Sequence, residues 1–371
     1  MLSLTDIKNG KGPIENMFIN SSTPVPKISS TQALVKVKAF GLNRMDLLQR
    51  EGLYPLPPQA PETMGVEFSG TIEELGAGGE RDFKKGDEVF GLAYGGAYAE
   101  YIAVSTHMLV KKPQELSWEE AAGIPEVSVL LSYFFYFFCQ VPFRRHTIPH
   151  ADKKLTRPAQ TWITATQAMY LIGHFKPGKS ILWHAGASSV SISGIQLSRG
   201  DKASAVYATA RSDEKTSFCT STLGATAAFN STKTDWADDV LKATDGKGVD
   251  IIVDFIGPEA FAANLRAIAK DGIIVNLATL SGPKLKPEFE QPDMTLFFRK
   301  RARFEGSGLR SRDEEYQGKL RDQLVEHALP KFKDGSFKVF VEKVFPWEKI
   351  QDAHAQMARN ETKGKLICTI S

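Results

Sequence analysis

The second half of the chain alternates short apolar segments with segments of helix length, and this alternation constrains the fold more than any other feature. Apolar segments such as 249–257 (VDIIVDFIG) and 272–280 (GIIVNLATL) are each followed or preceded by room for one helix. Strands that alternate with helices at short spacing form a parallel sheet covered on both faces, and right-handed crossovers make that sheet doubly wound. The sequence therefore predicts an α/β domain of the Rossmann type from Lys179 onward.

The first part of the chain has a different hydrophobic pattern, typical of short strands joined by turns. Residues 33–40 (ALVKVKAF) alternate apolar and basic side chains, which is the period of a strand with one wet face. The turn-rich stretches 54–61 and 76–91 follow, so we expect a small, mostly β domain. From Lys331 the pattern returns to strand, helix and strand. We therefore expect two domains, with the α/β domain inserted into the β domain.

Composition excludes several classes of function. The 371 residues include 46 basic and 43 acidic side chains, which gives a net charge of +3. A charge this small produces no overall electrostatic attraction to nucleic acid or to an anionic membrane. The first residues lack a charged start followed by an apolar core, so the cytoplasm is the expected location. The three cysteines are scattered without a CxxC motif, which argues against a disulfide framework and a structural zinc.

Several motifs resemble one family. They are GLNRMDLLQREGLYP (41–55), MGVEFSGTIEELG (64–76), HAGASSVS (184–191) and LRSRDEEY (309–316). The chain resembles the zinc-free quinone oxidoreductases of the medium-chain dehydrogenase/reductase superfamily, and most closely the type induced by a tumour suppressor. The resemblance implies a Rossmann NADP-binding domain at 161–312, inserted in a GroES-like catalytic domain formed by 1–126 and 313–371.

Residues 127–160 are extra relative to this family, in which the segment ending at Glu126 continues directly into the one that starts at Thr161. The block contains a charge-free run from 127 to 141, shorter than the roughly 20 residues that a helix needs to cross a bilayer. Its two ends can be encoded by intron-boundary sequences, so we interpret it as a translated, unspliced intron. A lineage-specific insertion and a membrane hairpin are the alternatives, and no membrane contact is expected.

The predicted turn from strand to helix after residue 183 has the small residues that a dinucleotide needs, because backbone N–H groups there approach a pyrophosphate. By resemblance, the cofactor turn consists of Gly186, Ala187, Ser188, Ser189 and Val190. Ser189 and Ser191 replace two glycines of the family pattern, and their hydroxyls could bond phosphate. The alternative is an ordinary turn between a strand and a helix.

Cofactor choice is set at the end of the next strand, where NAD-dependent proteins place an acidic side chain on the ribose diol. Here that zone holds Arg211, Ser212 and Lys215, whose cationic groups suit a 2′-phosphate. Asp213 is expected to point away from it. We therefore predict NADP as the cofactor, with a solvated helix start as the alternative explanation of these charges.

Zinc-dependent relatives have a cysteine near the position of Asn43 and a histidine at that of Val66, so we expect no metal. A quinone accepts hydride with only hydrogen-bond help, whereas an alcohol needs a Lewis acid. Reduction of a quinone by NADPH is therefore the predicted activity. Glu67, left without a metal, is expected to be buried and paired with a base.

The resemblance also implies roles for single residues. Tyr54, Asn43 and Asp46 would form the acceptor side, with Tyr54 donating its phenol to a quinone oxygen. The nicotinamide would meet Thr164, Leu309 and Arg310, and Lys365 would reach the ribose phosphate. Each has a structural alternative: Tyr54 as a half-buried aromatic, Asn43 and Asp46 as turn or cap residues, Thr164 as a helix cap and Lys365 as a surface lysine.

Other functions stay open. An enone reductase also needs only hydride delivery to an activated double bond, and relatives of the zeta-crystallin type bind single-stranded RNA or serve structurally. The basic stretch 299–304 (RKRARF) is better explained as an edge strand with a wet face than as an RNA-binding segment, so no nucleic acid is expected. An inactive product of the extra block is a further possibility. Family members commonly pair through the cofactor domain, so a homodimer is expected.

Overall fold

The computed structural model describes residues 2–53, 56–79, 82–125, 162–233, 235–309, 312–359 and 365–371. The chain divides into two compact units. The first unit comprises Met1–Gln160, Arg310–Arg321 and Lys338–Ser371, and the second comprises Thr161–Leu309 and Asp322–Phe337. The extra block 127–160 lies outside the described residues.

The first unit is built on a mostly antiparallel sheet, in which the last two strands along the chain pair in parallel. Its strands, numbered along the whole chain, are β1 (Leu2–Ile7), β2 (Met17–Thr23), β3 (Gln32–Gly41), β4 (Glu67–Leu75), β5 (Glu88–Leu92), β6 (Tyr101–Ser105), β7 (Leu109–Lys111), β14 (Val341–Pro346) and β15 (Lys365–Thr369). Among the described residues, β1 and β2 pair with each other, and the other seven form one sheet in the order β14-β15-β3-β4-β5-β7, with β6 also paired to β3. Val35, Val37 and Ala39 are buried and Lys36 and Lys38 between them are half-buried, so the middle of 33–40 alternates as predicted. Leu34 and Phe40, on the same face as the lysines, are buried as well, so that face is wet only at its centre.

Short helices complete this unit. They are α1 (Arg44–Arg50), α2 (Trp118–Ala122) and α11 (Ile350–Ala358). Helix α2 begins with a capping box, in which the Glu120 N–H donates to the Ser117 hydroxyl (3.1 Å) and the Ser117 N–H donates to the Glu120 carboxylate (3.0 Å). Ile124, which follows it, is fully buried. The chain up to the extra block is therefore anchored within the first unit.

The second unit contains a six-stranded parallel sheet. Its strands are β8 (Ser180–Trp183), β9 (Ala205–Ala210), β10 (Ala227–Asn230), β11 (Val249–Asp254), β12 (Ile268–Asn276) and β13 (Arg303–Gly306), in the order β10-β9-β8-β11-β12-β13. Every recorded pair in it is parallel. This is the doubly wound order of the Rossmann fold, in which the strand order reverses between β8 and β11. The predicted fold class is confirmed, and ligands of such sheets bind at that reversal, beyond the carboxyl ends of the strands.

The helices of the second unit follow the strands, as the alternation predicts. They are α3 (Trp162–Thr166), α4 (Ser189–Gly200), α5 (Asp213–Ser217), α6 (Trp236–Ala243), α7 (Pro258–Ala267), α8 (Met294–Lys300) and α10 (Leu329–Lys333). Single π-helical segments continue α3 (Gln167–Ile172) and α5 (Phe218–Thr222). Leu182, Ile252, Ile274, Val240 and Leu265 pack between the sheet and its helices, and their burial stabilises the unit by about 2 kcal/mol per side chain.

Helix α4 lies close against β8 because it carries a glycine at the contact. A Cβ on Gly194 would collide with the ring of Trp183, which is itself fully buried. The Trp183 indole N–H donates to the Ser198 hydroxyl one turn further along the helix (3.0 Å). This packing fixes the helix that begins at the predicted cofactor turn.

Two expectations from the sequence need correction. Helix α9 (Glu314–His327) crosses the boundary between the units, and residues 322–337 belong to the second unit rather than to the catalytic domain proposed for 313–371. The reason is aromatic packing, because Phe337 stacks on the buried Trp162 with ring centroids 4.9 Å apart. Segment 299–304 is only partly a strand: α8 continues to Lys300, Arg301 turns with φ 49°, and the edge strand starts at residue 303.

No helix within the described ranges is both long enough and apolar enough to pass through a bilayer.

Candidate functional site

The turn between β8 and α4 is held against the neighbouring strands by its backbone. The His184 N–H donates to the Val253 carbonyl (3.1 Å), and the Gly186 N–H donates to the Thr209 carbonyl (2.7 Å). A Cβ on Gly186 would lie 2.7 Å from both the Ala208 Cβ and the Cys219 sulfur. Glycine is therefore required at the position where the sequence predicts that a pyrophosphate approaches the backbone.

Two serines stabilise this turn by hydrogen bonds to its own backbone. The Ser191 hydroxyl is fully buried and donates to the His184 carbonyl (2.7 Å), while the Ser188 hydroxyl accepts from the Ser191 N–H (3.4 Å) as the helix cap. The predicted Ser191–phosphate bond therefore gives way to a bond within the turn. The N–H groups in the first turn of α4 have no acceptor within the helix and carry its positive dipole end. This cradle of glycine and first-turn amides fits the pyrophosphate of a dinucleotide.

His184 supports the same turn and was not singled out from the sequence. It is buried, with Nε2 2.7 Å from the Asn264 side-chain oxygen and Nδ1 2.8 Å from the Thr209 hydroxyl. Because the amide oxygen only accepts, Nε2 carries the proton and Nδ1 accepts from Thr209. Its partners lie 25 and 80 residues away in the chain, so no local pattern could have revealed the arrangement.

The end of β9 presents the predicted cationic zone. Arg211 is exposed, and within the described ranges it makes no ion pair. Ser212 caps α5, with its hydroxyl accepting from the Lys215 N–H (3.4 Å), and the Lys215 side chain is half buried. The Asp213 carboxylate, expected to point away from this zone, bonds to Asn230 and Lys233 at the end of β10. A hydrogen bond from Lys233 lowers the pKa of Asp213.

Of the three residues predicted to contact the nicotinamide, the structure describes Thr164 and Leu309. Thr164 lies inside α3 and is buried, and its hydroxyl finds no hydrogen-bond partner among the described residues. The alternative of a helix cap is therefore wrong, and a buried hydroxyl without a partner fits a ligand contact. Leu309 is buried. Arg310, like Tyr54 on the acceptor side, lies outside the described residues.

In the first unit, Asn43 and Asp46 form the start of α1. The Asn43 N–H donates to the Asp46 carboxylate (2.8 Å), and both side chains are buried. The alternative of cap residues is thus confirmed. The Asn43 side chain does more than cap, because its NH₂ donates to the Glu67 carboxylate (2.7 Å) and its oxygen accepts from the Lys365 ammonium (3.0 Å). Its role at the acceptor stays a prediction.

Lys365 and Glu67 form a fully buried ion pair. The predicted burial and pairing of Glu67 is confirmed, and the alternative of Lys365 as a surface lysine is wrong. A Cβ on Gly41 would collide with both side chains, so that glycine makes the room for the pair. The structure gives the ammonium two buried partners, and the contact with a ribose phosphate stays a prediction.

A second buried network adjoins the first at Asp46. The Tyr98 hydroxyl donates to the Asp46 carboxylate (2.8 Å) and lies 3.3 Å from Nε2 of His354. The guanidinium of Arg50 lies 3.2 Å from Nδ1 of His354. Burial, together with the charge of Arg50, lowers the pKa of His354 to about 3, so this ring is neutral near pH 7. Burial and Asp46 raise the pKa of Tyr98 well above 10.0.

These side chains do not fit a catalytic zinc. In the described part of the chain, no group of three or more histidine, cysteine, aspartate or glutamate side chains is placed to hold a metal ion. At the family's ligand positions stand the amide of Asn43 and the hydrocarbon of Val66, where zinc takes thiolate and imidazole. The neighbouring Glu67 already has a cationic partner, whose charge would repel a metal ion.

Comparison with known proteins agrees with this architecture. Residues 29–114 match the model of the alcohol dehydrogenase GroES-like domain, and residues 223–368 match the model described as zinc-binding dehydrogenase. The synaptic vesicle membrane protein VAT-1 homolog of Rattus norvegicus is 26% identical over 371 residues, covering 97% of this chain and 82% of that protein. The quinone oxidoreductase of Pongo abelii is 26% identical over 364 residues, covering 96% of this chain and 94% of that protein.

A solved structure shares the whole fold. That of an NAD-dependent alcohol dehydrogenase superposes with a TM-score of 0.73 at 26% identity, over 100% of both chains. The two matched domain models are joined here in one chain, with the sheet order and the glycine turn described above. The chain therefore belongs to the medium-chain dehydrogenase/reductase superfamily.

Proposed function

We propose that this protein is an oxidoreductase that uses NADPH to reduce quinones without zinc. The observation that carries the proposal is that a glycine turn follows β8 while the exposed Arg211 follows the neighbouring strand β9. Gly186 lets backbone approach a pyrophosphate, and Arg211 with Ser212 offers donors to a 2′-phosphate. The curated relatives named quinone oxidoreductase support the choice of acceptor.

The second unit would bind the cofactor, and the first unit would bind the electron acceptor. In the second unit, the amides of Ala187, Ser189 and Val190 would hold the pyrophosphate, Gly186 would leave room for it and Ser188 would cap the helix, since the N–H groups of these two residues already have backbone acceptors. Thr164 would bond the nicotinamide carboxamide. When bound, the dihydronicotinamide supplies a hydride, and the protein orients it. Leu309 and Arg310 would lie along the nicotinamide, and Lys215 would add charge near the 2′-phosphate.

In the first unit, Tyr54 would donate its phenol to a quinone oxygen, and Asn43 and Asp46 would shape the acceptor side. A quinone needs only such hydrogen bonds to take up hydride, because its carbonyls are already electrophilic. The buried ion pair of Glu67 and Lys365 supports a reaction without zinc, since the ammonium engages the carboxylate that could otherwise bind a metal ion.

We also propose that the protein forms a homodimer through the second unit. Strand β13 is an edge strand whose four residues are exposed, and Phe298 in the helix before it is 82% exposed. Unpaired strand edges and large exposed aromatic side chains are features of surfaces that pair with another chain.

The test is a steady-state assay that follows loss of NADPH absorbance with an ortho-quinone and, in parallel, with an alkenal. We expect turnover of the quinone to exceed that of the alkenal, and the reverse order would favour an enone reductase. Gly186→Val should abolish binding of NADPH, because its side chain has no space beside Ala208 and Cys219. Gly78→Val is the matched control, since a Cβ there meets only the Ser30 carbonyl, with its oxygen at an ordinary contact distance of 3.4 Å. Absence of any NADPH binding by the native chain would refute the proposal.

A further inference from the structure

The carboxylate of Asp213 is held in one orientation by two residues from the end of the neighbouring strand. The Asn230 NH₂ donates to Asp213 Oδ1 (2.6 Å), and the Lys233 ammonium bonds to Oδ2. The orientation of the Asn230 amide is fixed in turn, because its oxygen accepts from the N–H (3.1 Å) and the hydroxyl (2.8 Å) of Thr232. The NH₂ group of Asn230 is therefore the part that faces Asp213.

The pairing of the strands places these residues at one edge of the sheet. Ala210 at the end of β9 is in register with Asn230 at the end of β10, and the Ser231 N–H donates to the Ala210 carbonyl (2.8 Å). Parallel strands bring their carboxyl ends to the same edge, so the segment after β9 and the segment after β10 run side by side. Asp213 therefore reaches partners that follow β10.

Arg211 lies two residues before Asp213 and does not pair with it. Over the ranges that the structure describes, the recorded ion pair of Asp213 is with Lys233, and Arg211 has none. Both members of the pair are exposed, with 62% of the Lys233 side chain and 65% of the Asp213 side chain accessible. The lysine thus neutralises an acidic group that lies two residues from the guanidinium in the chain.

This arrangement matters because an acidic side chain at the end of the second strand selects NAD by bonding the ribose diol and repelling a 2′-phosphate. We infer that Lys233 and Asn230 determine cofactor specificity by holding Asp213 against the end of β10, which leaves Arg211 and Ser212 open to the 2′-phosphate. The inference rests on the proposed use of NADPH and names residues that act through Asp213 rather than on the phosphate.

Calorimetric titration of the full chain with two fragments tests this directly, because it needs no turnover. Adenosine 2′,5′-bisphosphate reports the phosphorylated ribose, and AMP reports the free diol. In the native protein we expect the bisphosphate to bind more tightly. Lys233→Met should weaken bisphosphate binding about fivefold, the factor expected when one unit of charge near an anion loses its partner across water, and should leave AMP unchanged or tighter.

The double variant Asp213→Asn/Lys233→Met separates the two possible roles of the lysine. If Lys233 acts through Asp213, removal of both charges restores the affinity for the bisphosphate to within about twofold of the native value. If the double variant binds as weakly as Lys233→Met, the lysine contacts the phosphate itself and the inference is wrong. Equal affinities of the native protein and Lys233→Met also overturn it.

Lys242→Met is the matched control, because Lys242 is exposed and pairs with Asp239 within helix α6 rather than with Asp213. It should change neither affinity. A native protein that binds AMP more tightly than the bisphosphate would overturn the proposed NADPH dependence itself, which is a different outcome from an unaffected Lys233→Met. All substituted positions are exposed, and thermal melts of the variants should match that of the native chain.

Discussion

Replacing Lys365 with methionine should strongly destabilise the first unit. Lys365 and Glu67 are both 0% exposed, and the ammonium also donates to Asn43. Methionine keeps most of the side-chain volume but removes the ammonium from the buried Glu67 carboxylate, to which the Asn43 NH₂ still donates. Removing one member of a buried ion pair costs about 3–5 kcal/mol, because the other charge stays uncompensated.

Removing both charges should cost much less. In the variant Glu67→Gln/Lys365→Met, the glutamine oxygen can still accept from Asn43, and neither charge of this ion pair is left buried without the other. Replacement of a whole buried pair is often nearly neutral, so we expect a free energy of unfolding within about 1 kcal/mol of the native value. The double variant should therefore be about 2–4 kcal/mol more stable than Lys365→Met alone.

Native-state hydrogen exchange is the suitable assay, because the chain folds as two units and a single unfolding transition would mix them. The amides to follow are those that join β15 to β3, where Cys368 pairs with Phe40. Lys85→Met serves as the control, since Lys85 is 75% exposed in a surface pair with Glu73 and should contribute less than about 1 kcal/mol. Protection that falls by less than about 1 kcal/mol in Lys365→Met, or that falls equally in the double variant, would refute the reasoning.

Three further predictions concern pH, assembly and the extra block. Burial lowers the pKa of His354 from 6.5 to about 3, so between these pH values the imidazole is protonated in the unfolded chain but neutral in the folded one. The free energy of unfolding should therefore be highest above pH 6.5 and should fall by about 2–3 kcal/mol by pH 4.5. Urea midpoints at pH 7 and 4.5 should show a smaller drop for His354→Gln, and an equal drop would contradict this. Phe298→Asp should convert a dimer into a monomer in light scattering, whereas Phe18→Asp, on an exposed position of the first unit, should not; two dimeric variants would count against the interface. Deletion of 127–160 should raise the soluble fraction and the rate of NADPH oxidation, because an apolar aromatic segment promotes aggregation and the flanking Ile124 and Trp162 are each buried within their own unit. Equal solubility and activity of the two chains would contradict it.

The local patterns of the sequence were reliable guides to the second unit. Strand β11 lies within the apolar segment 249–257 that indicated it, whereas β12 begins at Ile268, four residues before the segment 272–280. The reason is that hydrophobic period and strand composition act over a few neighbouring residues. The error at 299–304 arose where a short helix and a short strand follow each other, since a window of six residues cannot separate the two periods.

The sequence alone determined the class of the fold and the positions that we propose for cofactor binding, because Gly186, Arg211 and Ser212 follow their strands at fixed short distances. Tertiary structure decided how the charges pair. The carboxylate of Glu67 meets an ammonium from the last strand, and Lys365 bonds an amide that lies 322 residues away in the chain. Such partners are chosen by packing, which brings distant segments together and makes an unpaired buried charge too costly to keep.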